Sequence, residues 1–264
     1  MTKKLLILAV LLLVSAPAFA QSVDTAWVKT YNGPGNSSDH AYAVAIDDSG
    51  NVYVTGHSIG SGTERDYATI KYYPNGDTAW VRRYNGPANG FDGANAMAVD
   101  DSGNVYVTGL SLGSGSEIDY ATIKYRPNGD TAWLRRYNGP GNYGDWSFAI
   151  TLDSSGNVYV TGYSWGSGTG HDYATIKYYP NGDTAWVRRY NGPENGHDDA
   201  YAIAVDDSNS IYVTGTVTVK YDADGNRLWI APSGTVAIAL DDSGNVYVCG
   251  TSGTIKYSAN GNQL

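Results

Sequence analysis

Aspartates stand in adjacent pairs at Asp47-Asp48, Asp100-Asp101, Asp206-Asp207 and Asp241-Asp242, and paired carboxylates are what acid/base catalysis or a divalent cation uses. Their return at one point of a repeated segment argues for turn work instead, since an Asp side chain accepts backbone N–H bonds two residues on. Asp222-Ala223-Asp224-Gly225-Asn226 opens like a calcium loop, but the twelfth position, where a bidentate acid belongs, is Ser233. A hydrolase or lyase would have His57, His171 and His197 to move protons. These histidines are not equivalent between repeats, and the sequence has no HExxH pattern, no Cys/His metal spacing and no nucleophile elbow. We therefore expect no catalytic residues, no metal and no cofactor. The residues left for function are those at which near-identical segments differ: His40, His57, Phe91, Tyr143, Trp146, Tyr163, Trp165, His171 and His197. Aromatic side chains on loops are costly to expose without a use, so these nine form the candidate ligand-binding set.

The segments that carry them recur at a fixed step. TAWVKTYNGP at 25 returns at 78, 131 and 184 with few changes, an offset of 53 residues, while GNVYVTG begins at 50, 103 and 156, appears as NSIYVTG at 209 and closes as GNVYVCG at 244. Repetition at this length means an array or a propeller. Each unit contains four strand-like runs, seen in the first copy as A (41–46), B (51–55), C (67–72) and D (78–84), all rich in Val, Ile, Tyr, Thr or Trp. Gly50, Gly103, Gly156, Asn209 and Gly244 mark a tight A–B hairpin, and Asn75-Gly76 with its four counterparts marks the C–D hairpin. Four antiparallel strands in meander order make a propeller blade. A lone D run at 25–31 precedes the first A run, and the last C run ends at Tyr257 with only a turn after it. This predicts an all-β fold, a five-bladed β-propeller of four-stranded antiparallel blades, its ring closed by the N-terminal strand pairing in the last blade. The alternative is an open fragment completed by dimerisation.

The motifs GNVYVTG, DYATIKYYPNGDTAWVRRYNGP and AYAVAIDDSGN resemble the bacterial SBBP-type β-propeller repeat family over nearly all of the chain after residue 25. That resemblance implies an exported propeller with no catalytic set to carry over. Five repeats depart from the ring of about seven blades inferred for longer members.

Lys3 and Lys4, the apolar run 5–14 and the small residues Ala18 and Ala20 read as a signal peptide over 1–20, leaving one propeller domain over 21–264 whose last two repeats are shortened. The run is too short to span a bilayer, so no membrane insertion is expected after cleavage. Removing two lysines and no acid makes the net charge of −9 more negative still, which excludes nucleic acid as a partner. A single cysteine, Cys249, leaves no internal disulfide. The expected protein is secreted or periplasmic and, with its ring closed, monomeric.

Repeat-invariant residues read as architecture. Tyr53, Tyr106, Tyr159, Tyr212 and Tyr247, with Trp27, Trp80, Trp133, Trp186 and Trp229, are expected to pack between blades. Arg82-Arg83, Arg135-Arg136 and Arg188-Arg189 read as charge that keeps outer edges apart. Asp39, Asp92, Asp145 and Asp198, with Asp66, Asp119 and Asp172, read as loop caps whose sum makes the loop face negative and suited to a cationic or polyhydroxyl ligand. The expected function is a non-enzymatic binding scaffold acting through that face on a protein or cell-envelope ligand. The alternative is a lectin-like propeller whose aromatic rings stack on sugars.

Overall fold

The structure is a computed structural model that describes residues 24–232, 234–250 and 253–264. The expected signal segment, 1–20, lies outside the described residues. All described elements are β-strands, grouped in five antiparallel sheets of meander order. Blade one is β1 (Asp39–Ile46), β2 (Val52–Ile59), β3 (Arg65–Tyr72) and β4 (Thr78–Tyr84). Blade two is β5 (Asp92–Val99), β6 (Val105–Leu112), β7 (Ile118–Tyr125) and β8 (Thr131–Tyr137). Blade three is β9 (Asp145–Leu152), β10 (Val158–Trp165), β11 (His171–Tyr178) and β12 (Thr184–Tyr190). Blade four is β13 (Ala200–Val205), β14 (Ile211–Gly215), β15 (Val217–Tyr221) and β16 (Arg227–Pro232). Blade five has three strands, β17 (Thr235–Leu240), β18 (Val246–Gly250) and β19 (Gly253–Tyr257).

The turns obey the expected chemistry. Gly50, Gly103, Gly156, Asn209 and Gly244 all hold positive φ, as do Gly76, Gly129, Gly182, Gly225 and Gly261. The first Asp of each pair serves its own turn: Asp47 Oδ1 accepts from Ser49 N and Asn51 N at 3.0 and 2.9 Å, and its Oδ2 accepts the Tyr53 hydroxyl at 2.8 Å. Burial pushes the Asp47 carboxyl up, but these bonds outweigh it and hold the group below its ordinary range. The same pattern recurs at Asp100, Asp153, Asp206 and Asp241. Asp222, the supposed calcium-loop acid, likewise accepts from Asp224 N and Asn226 N.

Neighbouring blades bury each other. Tyr53 and Tyr67 of blade one pack with Val105, Val107, Ile123 and Tyr125 of blade two, and equivalent clusters follow at the next three junctions. Each D-run Trp donates its indole N–H to the C–D turn of the next blade, Trp80 to Pro127 O at 3.0 Å and Trp133 to Pro180 O at 3.1 Å. The arginine pairs are not edge charge. Arg82, Arg135 and Arg188 donate to Gly129 O, Gly182 O and Gly225 O of the next blade at 2.6–2.7 Å, which ties outer strands together rather than keeping them apart.

Five sheets match the five blades the sequence predicts, and among the described residues no closed ring is found. The innermost strands pack in order, β1 on β5, β5 on β9, β9 on β13 and β13 on β17, and β17 and β1 do not pack in the same way. The run 25–31 adopts no strand and, among the described residues, does not pair with β19. It docks on blade one as a D run docks on the next blade, Trp27 Nε1 donating to Pro74 O at 3.1 Å and its ring lying against Tyr72. The fourth place in blade five is started by the C-terminal residues, where Tyr257 bridges Gln263 and Leu264 N donates to Lys256 O at 2.9 Å. Local turn chemistry dictates each blade, whereas closure depends on the angle between blades, which no repeat motif encodes.

A Cβ on Gly182 would stand 2.7 Å from the Trp133 ring, at a φ of +90° that L side chains rarely adopt. Gly182→Ala should therefore cost about 1–3 kcal/mol, read as a lower denaturation midpoint with unchanged m-value.

Candidate binding surface on the loop face

The B–C and D–A loops lie together on one face, joined by backbone bonds such as Gly141 N to Trp165 O at 3.1 Å and Asp198 N to His171 O at 2.7 Å. Two devices shape it. The first is a β-bulge in every innermost strand, between Ala41 and Ala43, Ala94 and Ala96, Ala200 and Ala202, and Thr235 and Ala237, with the matching shift in β9 opposite Thr161 and Gly162. The extra residue, Tyr42, Asn95, Phe148, Tyr201 or Val236, is left out of the ladder, and bulges re-aim such side chains. The facing strand needs Gly at this point, because a Cβ on Gly56 or Gly162 would sit 1.9 Å from the carbonyl oxygen of His40 or Trp146.

The second device is a carboxylate frame. Asp39, Asp92, Asp145 and Asp198 accept from the backbone N–H of Gly33, Gly86, Gly139 and Gly192 at 2.6–2.9 Å, capping the D–A loops as expected. Asp66, Asp119 and Asp172 pair with Arg83, Arg136 and Arg189 at 2.7–2.8 Å, and these guanidinium groups also donate to the Ser58, Ser111 and Ser164 backbone carbonyls. The expected negative charge of the face is thereby reduced to the four D–A loop carboxylates. Three of the seven carboxylates are matched by a cation, and burial pushes the Asp92 and Asp145 carboxyls up.

On this frame the nine candidates fall into two groups. His40, His57 and Phe91 meet at the boundary of blades one and two, with ring centroids 4.9 Å apart for His40–His57 and 6.4 Å for His57–Phe91. Tyr42 lies 5.3 Å from His57, and the Arg65 guanidinium sits 5.0 Å over Phe91. His57 is buried, so it forms a floor rather than a contact surface. Desolvation, with the Arg65 and His40 charges adding to it, pushes its pKa down to about 4.

The second group is larger and spans blades three and four. The His171 ring stacks flat on Tyr163 with centroids 3.9 Å apart, meets His197 at 4.2 Å, and takes Trp165 edge-on at 4.9 Å. His171 Nδ1 lies 2.9 Å from Asp199 Oδ1, and the Tyr201 hydroxyl donates to Asp199 Oδ2 at 3.3 Å. Trp146 stacks on Tyr163 at 6.1 Å, Phe148 bridges Tyr163 and Tyr201 at 5.7 Å each, and Tyr143 reaches Trp165 at 5.7 Å. Burial, with Asp199 adding to it, raises the Tyr163 phenol, keeping it a neutral donor. Tyr143 and His197 are exposed, and Trp146, Trp165 and His171 are half-buried. The arrangement offers aromatic edges and faces beside one polar pair.

Asp199, Tyr201, Phe148, Tyr42 and Arg65 complete these groups and were not singled out from the sequence. The signal was present, because 42, 95, 148, 201 and 236 carry five different neighbourhoods in one repeat position, but the position falls inside a strand rather than in a loop. The described residues hold no group of three or more His, Cys, Asp or Glu that could bind a metal.

Three stretches, 27–62, 80–115 and 133–168, match the family model described as the SBBP beta-propeller repeat. Each runs from a D-run Trp through the next A and B strands into the B–C loop. No curated protein matches the sequence. Among solved structures the chain is similar to the Dos1 propeller, with a TM-score of 0.58 and 9% identity over 88% of this chain and 60% of that one. It is also similar to a gluconolactonase from Xanthomonas campestris, with a TM-score of 0.47 and 14% identity over 81% of this chain and 70% of that one. The first likeness concerns the fold alone.

Two outcomes follow from the frame and the floor. The Asp119 side chain is 7% exposed, so Arg136→Met leaves a buried carboxylate unpaired and should cost about 3–5 kcal/mol by denaturant titration. With a folded pKa of about 4 against an ordinary 6.5, His57 resists protonation only in the folded state, so stability falls as pH drops from 6.5 toward 4. His57→Leu, the residue blade two carries as Leu110, should flatten that part of a melting-temperature profile relative to wild type.

Proposed function

We propose that this chain, which carries SBBP β-propeller repeats, is an exported, non-enzymatic scaffold that binds a protein or cell-envelope ligand through its loop face. One observation carries the reading: six of the nine residues that break an otherwise near-perfect repeat come together at one boundary, around Tyr163, Trp165, His171 and His197. Copy-to-copy drift has no reason to gather aromatic residues from β9, β10, β11 and the loop after β12 at one place. Rings that present edges and faces on a rigid scaffold, with few rotatable bonds to freeze, are economical contact residues. The surface is half-buried rather than a deep cleft, which suits a partner that lies across it.

A lectin-like role is the second reading. Its support is the polar His171–Asp199 pair beside Trp165 and Tyr143, because a sugar needs an aromatic platform and hydrogen-bonding groups next to each other.

Trp165→Ala and Trp146→Ala separate these readings. Both side chains are half-buried on the loop face, outside the blade-to-blade clusters, so the variants should keep the wild-type circular dichroism spectrum. Under the scaffold reading, capture of cell-envelope proteins by immobilised chain drops about tenfold or more in each variant while a glycan array stays empty. Array binding lost on the same substitutions would establish the lectin, and turnover on a substrate panel lost on His171→Ala would overturn both.

A further inference from the structure

The two ends of the blade series are more exposed than the interior blades at equivalent positions. On blade one, Val44 and Ile46 are each 66% exposed and Ala41 is exposed, while Ala94, Ser147, Ala200 and Thr235, which occupy the Ala41 position in the later blades, are at most 2% exposed. Val52 and Val54 are half-buried where Val105, Val107, Val158, Val160, Ile211, Val213, Val246 and Val248 are buried. On blade five the opposite face is open. Cys249 and Thr254 are exposed, although Thr55, Thr108, Thr161 and Thr214 at the first position and Thr69, Thr122, Thr175 and Thr218 at the second are all buried.

The pieces fit one another. The run 25–31 already holds the place of a D strand on blade one, its Trp27 bonded to Pro74 O, and among the described residues no A, B or C strand pairs with it. Blade five has A, B and C strands and only the start of a D strand. Between the docked run and blade one lies a cavity of about 220 Å³ lined by Trp27, Tyr31, Ala41, Val54, Ile70 and Tyr72. At the next junction the residues corresponding to this lining pack against Tyr53 and Tyr67 of the preceding blade, and blade five carries the first of these rings at Tyr247. Lys124, Lys177 and Lys220 reach the next blade's turn carbonyls at Pro180, Ala223 and Ala259, and the carbonyl in that place for Lys256 is Pro74 O.

We propose that blade five of one copy packs on blade one of a second copy, repeating across two chains the contact that joins blades four and five within one. Such a contact is heterologous, head to tail, and covers Val44 and Ile46 of blade one, apolar side chains that are costly to leave in water. The monomer expected from the sequence presupposes a closed ring, and the open series removes that premise.

The Thr108 and Ser147 hydroxyl oxygens, 2.8 Å apart across a junction, give the test. Their counterparts at the proposed contact are Cys249 of one copy and Ala41 of the next, at a separation a disulfide can bridge. Air oxidation of the Ala41→Cys protein should give interchain disulfide-linked dimers and larger species on a non-reducing gel, lost when Cys249→Ser is added. Sedimentation of the wild-type chain should show a mass at least twice that of the monomer at high concentration, and Val44→Asp, a change at an exposed site, should return it to monomer. A wild-type mass that stays monomeric throughout, or a disulfide formed within a single chain, would overturn the proposal.

Discussion

Every blade of this protein is half of an interface. A four-stranded sheet of this size is too thin to hide its own apolar side chains, so each one is stable only through what the next blade lays over it. The most regular expression of that dependence is the indole N–H of the D-run Trp, which reaches across to the following blade's C–D turn in all five copies, from Trp27 to Trp229. Around it the aromatic face covers the neighbour's Tyr, the Arg side chain beside it fixes the same turn by a second carbonyl, and buried Thr hydroxyls bond in pairs underneath. The low charge content and the absence of a disulfide follow, because stability is supplied by packing and carbonyl contacts repeated around the series.

The blades themselves were legible in the sequence because a hairpin is a local event. Gly or Asn at a positive φ, Asp capping the turn and alternating Val, Tyr and Thr each act within a few residues, and all of them repeat five times. The inter-blade role of Trp and Tyr was legible too, since a residue needed at every junction is written at every junction. Arginine was misread for the opposite reason. Its long side chain carries the charge away from its own strand, so Arg82 acts on Gly129 and Arg83 on Asp66, neither of which is near in sequence. Closure was not legible in the same way, because the tilt from one blade to the next is the sum of many small side-chain volumes, and a motif does not report that sum.

For the candidate site, the sequence disclosed the loop residues and hid the strand residues that support them. His171 and Trp165 stood out as departures from the repeat, while Phe148 and Tyr201 sit inside runs whose alternation reads as ordinary strand and Asp199 directly precedes one. The bulge converts an inward or outward alternation into a third direction, and period-two reasoning has no place for it. The acidic loop residues show the complementary error, in that their count did not reveal that three of the seven are paired with arginines from the D strands.

The bulge also has a consequence for how such a protein changes over time. Because its extra residue is left out of the ladder, it can be exchanged without disturbing register or turn, and the five copies already hold Tyr, Asn, Phe, Tyr and Val there. Duplication of a blade therefore adds one more freely writable position to the inner rim, in fixed orientation and at a fixed spacing from the last. A surface assembled this way can acquire new recognition by single substitutions, with the scaffold serving as an unchanging frame for a short, variable text.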